Sequence, residues 1–271
     1  MNKPENTDRI KEIYDGLSKI DENGKKSRTG RFVVSALSSI PWVGGVIAAS
    51  SALHGEKEQG KVNALQKLWL EEHHRKIEEL AFAIHEITEK LNQTGTENDE
   101  RLSNEDYLGL VRKGFKEWDN SETQEKKQYI QRLLTNAGAT TLTTDDLIRL
   151  FIDWISMYHE THFMVIKEVY KNKGITRGQI WQNLNATQPR EDSVEADLFK
   201  LLIRDLSMGG IIRQHRETDY WGNYVKKPTK RSKSGVLKSA FDNEEQYELT
   251  ELGSQFVHYT MENVVTQIEN I

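Results

Sequence analysis

The sequence predicts a mainly α-helical protein with a small β element near its end. Three observations carry this. Only 4 prolines interrupt 271 residues. Apolar residues recur at helical spacing over most of the chain, and strand-like alternation is confined to residues 211–250. Charged residues make up 29% and hydrophobic ones 36%, a polar but globular balance that supports two domains of ordinary size.

Residues 7–20 read as a short amphipathic helix carrying Ile10, Ile13, Leu17 and Ile20. A basic link follows, with Lys25, Lys26, Arg28 and Arg31 and no acid. Phe32 to Leu53 is then 22 residues without a charge, of which fourteen are apolar. The length suits a bilayer crossing, but five serines, Pro41, Gly44 and Gly45 dilute the apolar content. Two half-segments bent at Pro41–Gly45 fit equally well, as a buried helical hairpin or as a conditional membrane segment. The acids Glu5, Asp8, Glu12 and Asp15 ahead of it are unlike a secretory leader, so a cytoplasmic protein, conditionally associated with the inner membrane, is expected.

A long helix is predicted over residues 56–91. Leu70, His73, Ile77, Leu80, Ile84, Ile87 and Leu91 alternate in steps of three and four, the seam of a coiled coil, which points to self-association. Asn92 to Glu100 is polar and sets the expected boundary between an N-terminal region, 1–92, and a helical domain, 101–271. Ser103 and Ser121 have N-cap spacing. A helix ending at Asn136-Ala137-Gly138 follows, and another opens at Thr143 or Thr144 and runs towards Tyr170.

The remaining elements come in a recognisable order. Lys171 to Gly174 is a turn. Thr176 caps a helix with Ile180, Trp181 and Leu184. Ser193 opens another, with Leu198, Leu201, Leu202 and Leu206 on one face, and Met208-Gly209-Gly210 ends it. Strands are expected within Ile211–Thr218 and at Gln246–Leu249, and Thr250 caps a closing helix. Helices followed by a two-stranded wing make a winged helix over about residues 147–265. Tyr247-Glu248-Leu249-Thr250-Glu251-Leu252-Gly253 resembles the strand-to-helix closure of bacterial winged-helix domains.

Composition narrows the chemistry. There is no cysteine, which excludes disulfides, thiolate nucleophiles and cysteine-based zinc sites. The net charge of -5 argues against a whole-protein nucleic-acid binder. A local basic stretch remains: Arg204 to Lys238 holds nine basic residues and three acids, among them Arg213, Arg216, Lys226, Lys227, Lys230, Arg231 and Lys233. These are candidate contacts for nucleic acid or a protein partner. Glu191, Asp192, Glu195 and Asp197 at the start of the third helix oppose phosphates, so protein contact is favoured over DNA. His159 and His162 stand at i and i+3, but no third zinc ligand follows, so no metal and no cofactor is expected. No phosphate loop, dinucleotide fingerprint or nucleophile elbow occurs, and a non-enzymatic protein is expected.

Ser39-Ile40-Pro41-Trp42-Val43-Gly44-Gly45-Val46, the long helix after it, and Glu125-Lys126-Lys127-Gln128-Tyr129-Ile130-Gln131-Arg132-Leu133-Leu134-Thr135-Asn136 resemble a group of bacterial proteins, some of them grouped with abortive-infection (phage defence) proteins. The resemblance implies a bacterial host and a defence role in which infection triggers membrane damage. On that reading a phage or host protein is the trigger, and homo-oligomers form on an anionic membrane. Phe32, Val33, Ile40, Pro41, Trp42, Gly44, Gly45 and Ile47 would contact lipid, with Lys25, Lys26, Arg28 and Arg31 at headgroups. The alternative is a winged-helix DNA-binding transcriptional regulator.

Overall fold

The computed structural model describes residues 28–45, 64–93, 99–185, 187–216, 219–221, 223, 225 and 239–261. The protein is mainly helical with a small three-stranded antiparallel sheet. It divides into two units, described separately below. The first takes in described residues of Met1–Met157 and Tyr259–Ile271, the second Tyr158–His258. The expected boundary at 92–100 falls inside the first unit, where the helix before it packs on a helix after it.

Unit 1 contains α1 (Arg28–Ser38), α2 (Ala64–Gln93), α3 (Asp99–Ser103), α4 (Glu105–Asn120), α5 (Gln124–Ala139) and α6 (Asp145–Met157). Helix α4 packs on α1, α5 and α6, and α2 packs on α5. The uncharged stretch breaks earlier than expected. The Ser39 hydroxyl donates to the Ala36 carbonyl at 2.6 Å, and Ile40 precedes proline, which disfavours helical backbone there. Pro41 then opens a further helical turn over 41–45, where its missing N–H costs nothing. Residues 46–53, which complete the stretch, lie outside the described residues, as does the predicted 7–20 helix. No described helix is long and apolar enough to cross a membrane.

Caps also shift. Asn104, not Ser103, accepts from the Asp106 N–H at 2.7 Å, and Thr123, not Ser121, accepts from Lys126 at 3.4 Å. Helix α5 runs one residue past Gly138. That glycine is not a stop but a close approach: a Cβ there would lie 2.5 Å from the Tyr107 hydroxyl and 2.9 Å from Leu91. The helix expected to continue to Tyr170 ends instead at Met157.

Unit 2 begins with α7 (Glu160–Lys171), then β1 (Ile175–Thr176), α8 (Arg177–Leu184), α9 (Val194–Met208), β2 (Ile212–Gln214), β3 (Gln246–Leu249) and α10 (Glu251–Met261), whose last turn passes the unit boundary. The sheet order is β1-β3-β2, with Ile175 opposite Tyr247 and Ile212 opposite Leu249. The third strand, β1, was not expected. Predicted caps at Thr176, Ser193 and Thr250 accept from Gln179, Ala196 and Gly253 backbone N–H groups. Thr176 and Gln179 close a capping box. Gly174 and Gly210 end their helices with positive φ, 78° and 74°, which glycine adopts without strain. Trp181, Phe199 and Phe241 form an aromatic cluster with centroids 5.0 to 5.6 Å apart.

Candidate functional site

Helix α9 turns two different apolar faces outward and inward. Ala196, Phe199, Leu202, Ile203 and Leu206 are buried. Val194, Leu198, Leu201 and Met208 are exposed, Val194 and Met208 at 81% each. The single leucine face predicted here thus splits: Leu202 and Leu206 belong to the core, and Leu198 and Leu201 to the surface. Adding Asp205, the outer row advances in steps of four, three, four and three, one continuous stripe along the helix. Folded proteins expose single apolar residues routinely; here four of them fall in one row.

Carboxylates border the start of this stripe. Glu191 accepts from the Ser239 hydroxyl and, at 2.9 Å, from the Ala240 N–H, and these bonds hold its carboxyl below the usual range. Asp192 takes a forked pair from Arg190 at 2.8 and 2.9 Å, which lowers it likewise. Glu195 is lowered by hydrogen bonds from its own backbone N–H and from Ser193. Asp197 lies 3.5 Å from Lys200.

Beyond the middle of α9 the charge reverses. The C-terminal half of the helix, β2, β3 and the first residue of α8 enclose an open cleft of about 420 Å³. Arg177, Arg204, Arg213 and Arg216 line it, with no carboxylate among the lining residues. Arg177 donates from Nε to the Tyr247 hydroxyl at 2.7 Å and lies over that ring at 5.4 Å. Arg213 pairs with Glu248 at 2.8 Å, and His215 Nδ1 reaches the other oxygen at 2.7 Å. Burial pushes the Glu248 carboxyl up, but the bonds from His215 and Arg213 outweigh it and hold it below its usual range. Of the predicted basic contacts, Arg213 and Arg216 are brought together here. Lys226, Lys227, Lys230, Arg231 and Lys233 lie outside the described residues. Arg204, the first residue of the predicted basic stretch, joins them, while Arg177 lies outside that stretch and only the fold brings it to β2.

The remaining predicted sites resolve differently. Phe32 and Ile40 are 1% and 2% exposed, inside unit 1. Phe32 stacks on Tyr107 and meets Phe115 edge-on, with centroids 6.4 and 6.1 Å away. Trp42 is half-buried and donates to Asp119 at 2.8 Å. Val33 is half-buried, while Arg31, Pro41, Gly44 and Gly45 are exposed. Lys25, Lys26 and Ile47 lie outside the described residues, as does the side chain of Arg28. In the oligomer seam, Leu80, Ile84, Ile87 and Leu91 are all buried in unit 1, on the helix that packs against α5. The three-four spacing records that one stripe is buried; it does not record whose surface covers it. The side chains of Leu70 and Ile77 lie outside the described residues.

His159 and His162 are held differently. His162 is buried and its Nδ1 accepts from the His159 N–H at 3.2 Å, while His159 is exposed. Among the described residues no group of three or more His, Asp or Glu gathers as metal ligands would. No protein-family model, no curated protein and no solved structure matches this chain.

Proposed function

We propose that this chain is a non-enzymatic sensor and effector of bacterial antiviral defence, in which unit 2 is a winged helix that takes up a protein trigger. The element order α7-β1-α8-α9-β2-β3 and the sheet order β1-β3-β2 support the winged-helix reading. The docking reading rests on one observation: the exposed row Val194, Leu198, Leu201 and Met208 beside Glu195 and Asp197. Its fitting partner is an amphipathic helix with a basic flank, whose apolar face covers the row while its cations meet the acids. A DNA duplex presented to the same helix meets the carboxylates first, which disfavours the regulator alternative.

The output half of the proposal is disruption of the inner membrane by the 32–53 segment in an oligomer. It is supported by the abortive-infection resemblance and by the basic cluster ahead of an uncharged stretch. Since Phe32, Ala36, Ile40 and Val43 are buried in unit 1, insertion requires this segment to leave that core, and the α2 seam to exchange partners.

The test uses cells carrying a membrane-potential dye, challenged with a panel of phages. Wild-type cells should depolarise with at least one phage. Leu198→Lys with Leu201→Lys should abolish the response through the sensor, and Gly44→Asp through the output. No depolarisation by wild type under any challenge removes the membrane half. An undiminished response in the double lysine variant removes the docking half. Salt-steep binding of the full chain to duplex DNA would favour the regulator instead.

A further inference from the structure

The arginine-lined cleft on unit 2 meets the α9 stripe at Met208, and its charge is opposite to that of the acids at the start of the stripe. We infer that this cleft binds a compact phosphate-bearing small molecule of the nucleoside di- or triphosphate class.

Four guanidiniums line one cleft that contributes no carboxylate of its own. Glu248 pairs with Arg213 and Asp205 lies 3.7 Å from Arg204, both carboxylates outside the lining, and an anion entering the cleft would still meet four guanidiniums with no acid among the lining residues. Guanidinium forks match phosphate oxygens two at a time, which ammonium groups do not. The site is also held in place. The Nε bond to the Tyr247 hydroxyl fixes Arg177, and its terminal nitrogens have no partner among the described residues. Glu248 fixes Arg213 from the strand next door. Tyr247 is 1% exposed, so the anchor is part of the core and does not drift with solvent. Gln214 and Ser207 add neutral polar groups, and buried Ile203 and Ile212 supply an apolar floor against which a base or sugar can lie.

Size and surroundings select a compact ligand over a duplex. The cleft volume, about 420 Å³, is that of a small-molecule site. Asp197 precedes Ser207 on the same helix by roughly 15 Å at the helical rise, so a phosphate backbone continuing along α9 would run into the acids, whereas a small ligand ends before them. The end of α9 carries partial negative charge that opposes an anion. It is muted here: the N–H groups of Gly209, Gly210 and Ile211 donate to the carbonyls of Asp205, Ser207 and Leu206 at 2.8, 3.2 and 3.0 Å.

The experiment is calorimetric titration of the full chain with pyrophosphate and with ATP at low salt. The test variant is Arg204→Gln with Arg213→Gln, which leaves the Arg177–Tyr247 anchor intact. The control carries the same charge loss elsewhere, Arg149→Gln with Arg190→Gln. Circular dichroism verifies that both fold. Wild type should bind one equivalent of ATP. The cleft variant should weaken that binding by about tenfold or more, and the control by less than about twofold. Absence of heat from either probe up to about 10 mM overturns the inference, since that is weaker than any small-molecule site of use. An equal loss in the control overturns it too, because the attraction would then be general. So does duplex DNA that displaces ATP with a steep salt dependence, which would make the cleft a backbone contact.

Discussion

Nε2 of His162 stops 3.8 Å from Oδ2 of Asp205, out of hydrogen-bond range, while Nδ1 on the other side of the ring accepts the His159 N–H. A ring accepting at Nδ1 is neutral and carries its proton on Nε2. Burial lowers its pKa from the ordinary 6.5, and the neighbouring His159 adds to this; the Asp205 carboxylate opposes both without prevailing. Tyr158 lies tilted against the ring, with centroids 4.9 Å apart, and burial raises its own pKa, so it stays neutral in this range.

The consequence for stability follows in sign. Below pH 6.5 the unfolded chain binds a proton at this position that the folded chain resists. Unit 2 therefore keeps its full stability above that pH and loses part of it as the pH falls towards the folded-state value. Hydrogen exchange of α7 and α9 amides should accelerate between about pH 7 and about pH 5 beyond the intrinsic rate change. His162→Gln retains an acceptor for His159 but cannot titrate, so its profile should be flatter. Identical profiles would contradict the assignment.

Gly253 faces the corner where β2 begins, and a Cβ there would overlap the Ile211 carbonyl oxygen, a backbone atom already accepting from Thr250 at 2.9 Å. Gly253→Ala should destabilise unit 2 by about 3 kcal/mol in urea denaturation, despite alanine's better helix propensity. Gly44→Ala, with nothing within 4 Å of the added atom, should be neutral or stabilising by up to about 1 kcal/mol.

Arg101 ties three parts of unit 1 together. Its terminal nitrogens fork onto Asp145, its Nε donates to the Ala137 carbonyl at 3.2 Å, and its guanidinium lies 5.2 Å from the Tyr107 ring centroid. The two side chains are 12% and 22% exposed, so solvent screens the pair only partly. Arg101→Met should cost about 2 kcal/mol, and a double-mutant cycle with Asp145→Asn should return a coupling of about 1 kcal/mol.

The Trp42–Asp119 hydrogen bond holds the 41–45 turn to the end of α4. Trp42→Phe keeps most of the ring area and loses that bond, so a cost of about 1 kcal/mol is expected, with faster exchange of α1 amides. Unchanged exchange would mean that Phe32, Ala36, Ile40 and Val43 hold the segment by burial alone.

Local signals in the sequence were legible in part, the caps at Asn104 and Thr123 falling one and two residues from the serines expected there, and nonlocal ones were not. Thr176, Ser193 and Thr250 could be placed because a cap is decided within four residues. Ile175–Thr176 could not, since two residues show no period and their pairing depends on Tyr247 and Gln246, far along the chain. The break at Tyr158–His159 was hidden because apolar residues keep their spacing through it. Leu198 and Leu201 share a predicted face with Leu202 and Leu206, because spacing groups residues on a helix face without saying which of them finds a partner. The cleft needed Arg177 from α8 and Arg204 from α9 to meet β2, which only the sheet order determines.

The junction of β2 and β3 has one further consequence. The ladder from Ile212 to Gln214 is closed at its open end by the His215 N–H donating to the Gln246 carbonyl at 2.7 Å, so both ends of the 215–245 connection are fixed by backbone pairing. Loop entropy grows only slowly with length once the ends are fixed. A change of length within that connection leaves this pairing in place provided residues 239–243 are kept, since Phe241 packs on Trp181 and Phe199 and Ser239 and Ala240 hold Glu191. A reporter inserted ahead of residue 239 should therefore leave the β2–β3 pairing in place.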